Sequence, residues 1–221
     1  MKVALLHTLQ ANQALFDACL VQTRLGEFVD IAHYCAPELL QYASEVGIDD
    51  TLTALVAQQV LDIEAQGADW VVCTCSSIGR LAEQAITQRA KVIRVDRPMA
   101  IAASQVESLT VLAALETTIK PTMALLAEYA TDIEQTAKIA VIEGAWPHYL
   151  DGDLQAYQQT IADYIQQYCA EDSAIMLAQA SMAPAVSLLP HGLQSKVLTS
   201  PTLCIDYLLT QVARRTKPEV K

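Results

Sequence analysis

A chain of 221 residues with 52% apolar and 18% charged content can bury one sizeable core or two smaller ones, which excludes a disordered chain. Its net charge of −11 repels phosphate backbones, and no Lys/Arg cluster precedes the RRTKPEVK tail, so no nucleic-acid partner is expected. Six cysteines in so apolar a chain need no disulfide framework.

The opening MKVALLHTL has too short an apolar run for a signal peptide and no small-residue cleavage site after it. No uncharged stretch reaches the length of a membrane span. A soluble cytoplasmic protein with no membrane partner is the expectation.

In chain order, the apolar run at 3–6 reads as a strand leading into His7 and Thr8. Residues 11–24 follow as a helix ending near Gly26, and 28–32 as a second strand. DTLTALVAQQVLDIEAQ at 50–66 has the spacing of a long helix closed by Gly67. Residues 69–73 read as a buried strand, 78–88 as a helix and 91–95 as a strand, with Pro98 marking the turn beyond. The order then recurs: strand 109–114, helix 121–134, strand 138–142, and a loop from Gly144 to Gly152 holding Trp146 and Pro147. Helix 153–169, strand 173–178, a short helix and strand 196–198 complete it. GADWVVCTCSSIG finds its partner in EDSAIMLAQASMA, and AKVIRVDRP in SKVLTSP.

Alternating strands and helices with near-continuous apolar strands predict an α/β fold whose parallel sheets are covered on both faces. The repeated order predicts two similar doubly wound parallel-sheet halves with the active site between them. Residues 1–100 form the first half with the Cys75 loop. Residues 101–221 form the second with the Gln179 loop, the C-terminal segment packing back on the first half. A single larger sheet is the alternative.

Ligands of such folds bind beyond the carboxyl ends of the strands. That singles out VVCTCSSIG. Cys73 and Cys75 share a side if the strand runs through both. Cys75 falls at the strand-to-helix turn, where Ser76 or Ser77 can cap the next helix. Exposed amides there can hold a carboxylate, and the same field favours a thiolate. A thiolate beside a bound carboxylate is a base for an acidic carbon proton. Packing or capping competes with catalysis at Cys75, and packing is the simpler role for Cys73. Cys19, Cys35, Cys169 and Cys204 read as core or structural residues. Ligand spacing for zinc is absent, so no metal is expected.

In the second half Gln179 stands where Cys75 does in the first. It can hydrogen-bond a ligand but is no ordinary acid or base. Ala180 and Ser181 continue that loop, with Ser181 either capping or binding carboxylate, and Met182 reads as packing. His7, Thr8 and Asn12 are candidate substrate contacts, each with a structural alternative. Thr117 and Thr118 can clamp a carboxylate or cap a helix. Asp96 can orient the site or cap; His148 and His191 sit in loops and titrate near neutral pH. Gly67 and Gly79 read as turn and close-packing residues.

Across nearly its whole length the chain resembles the aspartate/glutamate/hydantoin racemase superfamily. On that resemblance, Cys75 takes the catalytic cysteine's place, Ser76 that of the Asn and Ser77 that of the Thr in a Cys-Asn-Thr-like segment. The second cysteine's position holds Gln179. Thr117 matches a carboxylate-binding threonine, Thr118 is its neighbour, and Ala114 stands where many members have another Thr. His7 and Thr8 replace an Asp-Ser-like pair. The resemblance implies a racemase or isomerase of a small carboxylate, working without metal or other cofactor, in a possible homodimer. A decarboxylase or lyase of the same superfamily, or a non-catalytic carboxylate-binding protein, is the alternative.

Overall fold

The central strands are apolar without alternation, and each is buried on both faces. The computed structural model describes residues 1–172 and 174–216. Contacts divide it into two compact units, one of residues 1–95 with the chain from Pro201 onward, the other of residues 96–200.

In unit 1, strands β1 (Lys2–His7), β2 (Asp30–Cys35), β3 (Trp70–Cys73) and β4 (Lys91–Arg94) form one parallel sheet in the order β2-β1-β3-β4. Val3 to Leu6 of β1 and all four residues of β3 are buried, as a central parallel strand requires, whereas β2 lies at the edge and is partly exposed. Helix α1 (Ala11–Thr23) links β1 to β2, with a 3₁₀ turn at Leu25–Glu27. Helices α2 (Pro37–Glu45) and α3 (Asp50–Ala65) cross from β2 to β3. Leu52, Val56, Val60 and Ile63 put one stripe of α3 into the core with Leu6 and Val71. The Asp49 carboxylate caps α3 by accepting from the Leu52 N–H at 2.8 Å, and Gly67 at φ +94° turns the chain out of it. Helix α4 (Gly79–Glu83) joins β3 to β4.

Unit 2 repeats the plan. Helix α5 (Arg97–Ala103) precedes strands β5 (Leu109–Ala113), β6 (Lys138–Val141), β7 (Ala174–Leu177) and β8 (Val197–Thr199), in the order β6-β5-β7-β8. Between β5 and β6 lie α6 (Ile119–Leu126) and α7 (Ile133–Thr136). Helices α8 (Ala145–Leu150) and α9 (Leu154–Tyr168) follow β6. A 3₁₀ segment, Ala180–Leu188, and α10 (His191–Gln194) connect β7 to β8. Tyr157, Ile161, Ala162 and Ile165 of α9 face Leu112, Ile175 and Leu177, and Asp153 caps α9 by accepting from Ala156 N–H at 3.0 Å. Helix α11 (Ser200–Thr216) belongs from Pro201 onward with unit 1, where Tyr207 meets the Trp70 ring edge-on at 6.0 Å. Among the described residues no helix is long and apolar enough to cross a membrane.

The two-sheet plan replaces the single-sheet alternative. Several local expectations are corrected. The helix expected at 78–88 is α4, five residues long. Pro98 opens α5 rather than marking a turn, because proline's missing N–H costs nothing in a helix's first turn. The loop holding Trp146 and Pro147 is α8, with Gly144 at φ +78° just before it. The second strand starts at Asp30, and α2 was not foreseen. Residue 173 of the expected strand, and residues 217–221 of the basic tail, lie outside the described residues.

Candidate functional site

A strand order of 2-1-3-4 has its topological switch point between β1 and β3, where connections leave in opposite directions and ligands of open α/β sheets bind. In unit 1 the loops leaving that point begin with Thr8 after β1 and with Thr74 and Cys75 after β3. Thr8 is 1% exposed and its hydroxyl has no hydrogen-bond partner among the described residues, an expensive condition for a buried polar atom. Asn12, in the first turn of α1, is also buried.

Cys75 is a free thiol two residues past the end of β3. It lies at the margin of the apolar cluster that includes Leu6, Val71 and Ile78, and remains 8% exposed where Cys73 is fully buried. The Cys73 thiol donates to the Cys75 carbonyl at 3.6 Å, which ties the loop's start to the strand. Ser76 is buried and Ser77 half-buried, but neither is the cap of α4: that position is Ile78, without a side-chain cap. A helix of five residues also sums few peptide dipoles, so the expected helix field at Cys75 is weak.

Arg94 at the end of β4 was missed by sequence reasoning, although a charge directly after the apolar Val92 and Ile93 of a short strand is a signal. It is 1% exposed, and its Nη2 donates to the Ser76 carbonyl at 3.3 Å. Glu83 of α4 accepts from the Arg94 main-chain N–H at 3.0 Å. A positive charge thus lies buried behind the Cys75 loop. Gly79 is required for this: a Cβ there would stand 2.7 Å from Arg94 Cβ. Gly79→Ala is expected to destabilise the protein by about 1–3 kcal/mol, measured by urea unfolding, with the thiol reactivity of Cys75 altered as Arg94 shifts.

His7 lies on the opposite face of the sheet from Cys73 and Cys75, since β1 residue Leu6 pairs with Cys73 and alternate residues turn away. It is 1% exposed. Its Nδ1 meets the Thr74 hydroxyl at 2.9 Å and its Nε2 meets His33 Nδ1 at 2.9 Å; His33 Nε2 in turn lies 3.1 Å from Asp17. The two imidazoles stack at 5.2 Å. Burial first, and then the neighbouring His33, push the His7 pKa down to about 4. Thr74, His33 and Asp17 escaped sequence reasoning; strand alternation applied to CTC would have set Thr74 beside His7.

In unit 2 the corresponding switch point lies between β5 and β7. There the chain fills it with its own side chain. Gln179 Oε1 accepts from the N–H groups of Ala114, at 2.7 Å, and Leu115, at 3.2 Å. Ser181 Oγ is 3.0 Å from the Tyr157 hydroxyl, whose pKa burial raises, and makes no side-chain cap; Ala180 and Met182 are buried. Thr117 is exposed in the 3₁₀ turn Glu116–Thr118, whereas Thr118 is buried and does not cap α6 through its side chain. One turn on, Thr122 is fully buried with an unpartnered hydroxyl, a feature sequence reasoning missed. Gln179→Ala would leave the Ala114 and Leu115 amides without that acceptor. A loss of about 1–3 kcal/mol in chemical unfolding is expected.

The remaining candidates scatter. His148 lies on α8 and exposed His191 on α10, neither in a loop. Asp96 is fully buried at the start of α5 and makes no side-chain cap. Cys35 is exposed at the end of β2, against expectation; Cys169 and Cys204 are buried and Cys19 half-buried. Among the described residues no group of three His, Cys, Asp or Glu is placed to hold a metal ion.

Solved structures share this architecture over nearly the whole chain. Allantoin racemase from Klebsiella pneumoniae superposes with a TM-score of 0.71 at 18% identity, covering 97% of this chain and 89% of its own. The chain has the Asp/Glu racemase fold. Aspartate racemase from Picrophilus torridus matches with a TM-score of 0.70 at 13% identity, over 96% and 94% of the two chains. Glutamate racemase from Thermus thermophilus matches at 0.65 and 15% identity, over 99% and 83%. No protein-family model and no curated protein matches this chain.

Proposed function

We propose that this chain exchanges the carbon-bound proton next to the carboxylate of a small organic acid, with Cys75 as the acid and base. The observation that carries the proposal is the content of unit 1's switch point: a free thiol at the core margin after β3, in a residue 8% exposed, and a buried threonine hydroxyl after the adjacent β1 with no partner among the described residues. The thiolate takes the proton and the thiol returns one. Charge on the resulting enediolate is met by hydroxyls and turn amides of Thr8, Ser76 and Ser77, with the Arg94 guanidinium behind Ser76. Asn12 contacts the same substrate. The racemase names of the proteins sharing the fold agree with this chemistry.

Inversion needs a second acid, and the loops leaving unit 1's switch point supply one thiol beyond the strand ends, that of Cys75. Exchange with retention is therefore the expected behaviour, faster than racemisation. The same one-acid arrangement suits decarboxylation, in which Cys75 protonates the carbanion left by carbon dioxide. Incubating the protein in heavy water with a panel of small carboxylic acids, read by mass spectrometry and NMR, tests both. Deuterium incorporation or carbon dioxide release lost in Cys75→Ser supports the role of the thiol. Neither reaction across the panel, or one undiminished in Cys75→Ser, overturns it.

A further inference from the structure

The chain of Thr74, His7, His33 and Asp17 has no part in the chemistry above, yet its protons can be counted. Thr74 Oγ1 has one proton and two acceptors in reach, Leu6 O at 3.2 Å and a bare His7 Nδ1 at 2.9 Å. With three protons, every bond points toward Asp17. Thr74 donates to His7 Nδ1, His7 Nε2–H donates to His33 Nδ1, and His33 Nε2–H donates to the carboxylate. With four, His33 carries both N–H groups, His7 carries its proton on Nδ1 and donates to Thr74, and the Thr74 proton turns to Leu6 O. The fourth proton belongs on His33, which touches a carboxylate, rather than on His7, which is 1% exposed and beside no anion.

We propose that this chain is a proton-operated switch on the Cys75 loop: uptake of one proton, held on His33 against Asp17, swings the Thr74 hydroxyl from His7 Nδ1 to Leu6 O. Thr74 directly precedes Cys75, and its N–H already donates to Leu6 O at 2.9 Å. The bond between Thr74 and His7 is kept in both forms with its direction reversed, so the protonated form fastens the loop's first residue to β1 three times and the deprotonated form twice. The surroundings leave His33 and Asp17 as the responsive pair. From α1 the charged group is Asp17, with Phe16 packed on the His7 ring 5.6 Å away. On β2 the residue in line with His33 is Cys35, whose pKa burial, then Glu38, raises, so it stays a neutral thiol. The 3₁₀ turn Leu25–Glu27 brings Glu27, which Arg24 neutralises at 2.7 Å. The β3 side brings Thr74, and the β3 residues paired with β1, Trp70 to Cys73, include no acidic or basic side chain.

The test is a pH titration of the full chain labelled with nitrogen-15 in its imidazoles, read by the tautomer-sensitive ring nitrogen shifts. As His33 gains its proton, His7 should change from the Nε2–H to the Nδ1–H tautomer at the same midpoint. In Asp17→Asn both changes should move together to lower pH, and in Thr74→Ser, which keeps the hydroxyl, they should stay linked. A His7 tautomer that stays constant while His33 titrates overturns the proposal. So does an Asp17→Asn variant in which one midpoint moves without the other. The readout requires no substrate, so it stands or falls separately from the proposed activity.

Discussion

Replacing Cys75 with serine is expected to cut deuterium incorporation by about 10²–10⁴-fold, the range that positioned acid–base groups contribute. A serine hydroxyl fits the space of the thiol but ionises far above neutral pH, so the geometry survives while the base is lost. The exchange carried by the wild-type protein should fall with little change in substrate affinity, because the thiol acts on the reacting carbon rather than on the carboxylate. Cys73→Ala is the matching control. Cys73 is fully buried and donates to the Cys75 carbonyl at 3.6 Å. This variant should retain most of the exchange. Thermal unfolding of both variants distinguishes lost chemistry from a lost fold. If Cys75→Ser keeps the wild-type exchange rate while Cys73→Ala loses it, the base is the wrong cysteine.

Much of the architecture is written in residue order because the signal for a buried parallel strand is local. WVVC and AIML are uninterrupted apolar runs, LTVLA is broken by Thr110 alone, and each is a central strand. The stripe of α3 and its stop at Gly67 are equally local, set by spacings of four and three and by one positive φ. Helix ends and short helices were less legible. IGRLAEQAITQ has helical composition, yet α4 stops at Glu83, where Glu83 turns to the Arg94 amide of β4. AWPHYL carries a proline, which permits a helix at its first turn as readily as it breaks one further in.

Side-chain chemistry divides in the same way. The importance of Cys75 can be argued from its place after a strand. The role of Gln179 cannot, because its acceptors are main-chain amides sixty-odd residues earlier, at Ala114 and Leu115. Nor does the sequence advertise the His7 chain. His33 sits in a half-exposed edge strand, and Asp17 on a helix whose apolar residues show little periodicity. Only strand pairing, with Leu5 opposite His33, brings these groups into line.

The buried His7 also sets the acid side of the stability profile. Its folded-state pKa of about 4 lies below the 6.5 of a free histidine. Between those values the unfolded chain binds a proton that the folded chain refuses, so stability rises with pH across this window and falls on acidification through it. Well above pH 7 neither state binds the proton, and the effect is absent. One refused proton gives a slope of about 1.4 kcal/mol per pH unit, and the full window amounts to at most about 3 kcal/mol. Carboxylates with lowered pKa, Asp49 and Glu64 among them, act in the same direction but only below their own unfolded values near 4. The region from pH 6.5 to 4.5 therefore lies above the reach of these carboxylates, and the His7 contribution is read there as the difference between wild type and His7→Gln. Chemical unfolding measured at half-unit steps should show this slope in the wild type. His7→Gln keeps a hydrogen-bonding side chain but cannot titrate; its stability is lower at pH 7 through lost contacts, and its slope in the window should be shallower by one proton. Parallel profiles for the two proteins would mean that His7 is protonated in the folded state as easily as in the unfolded one, contrary to its burial against Thr74, His33 and Phe16.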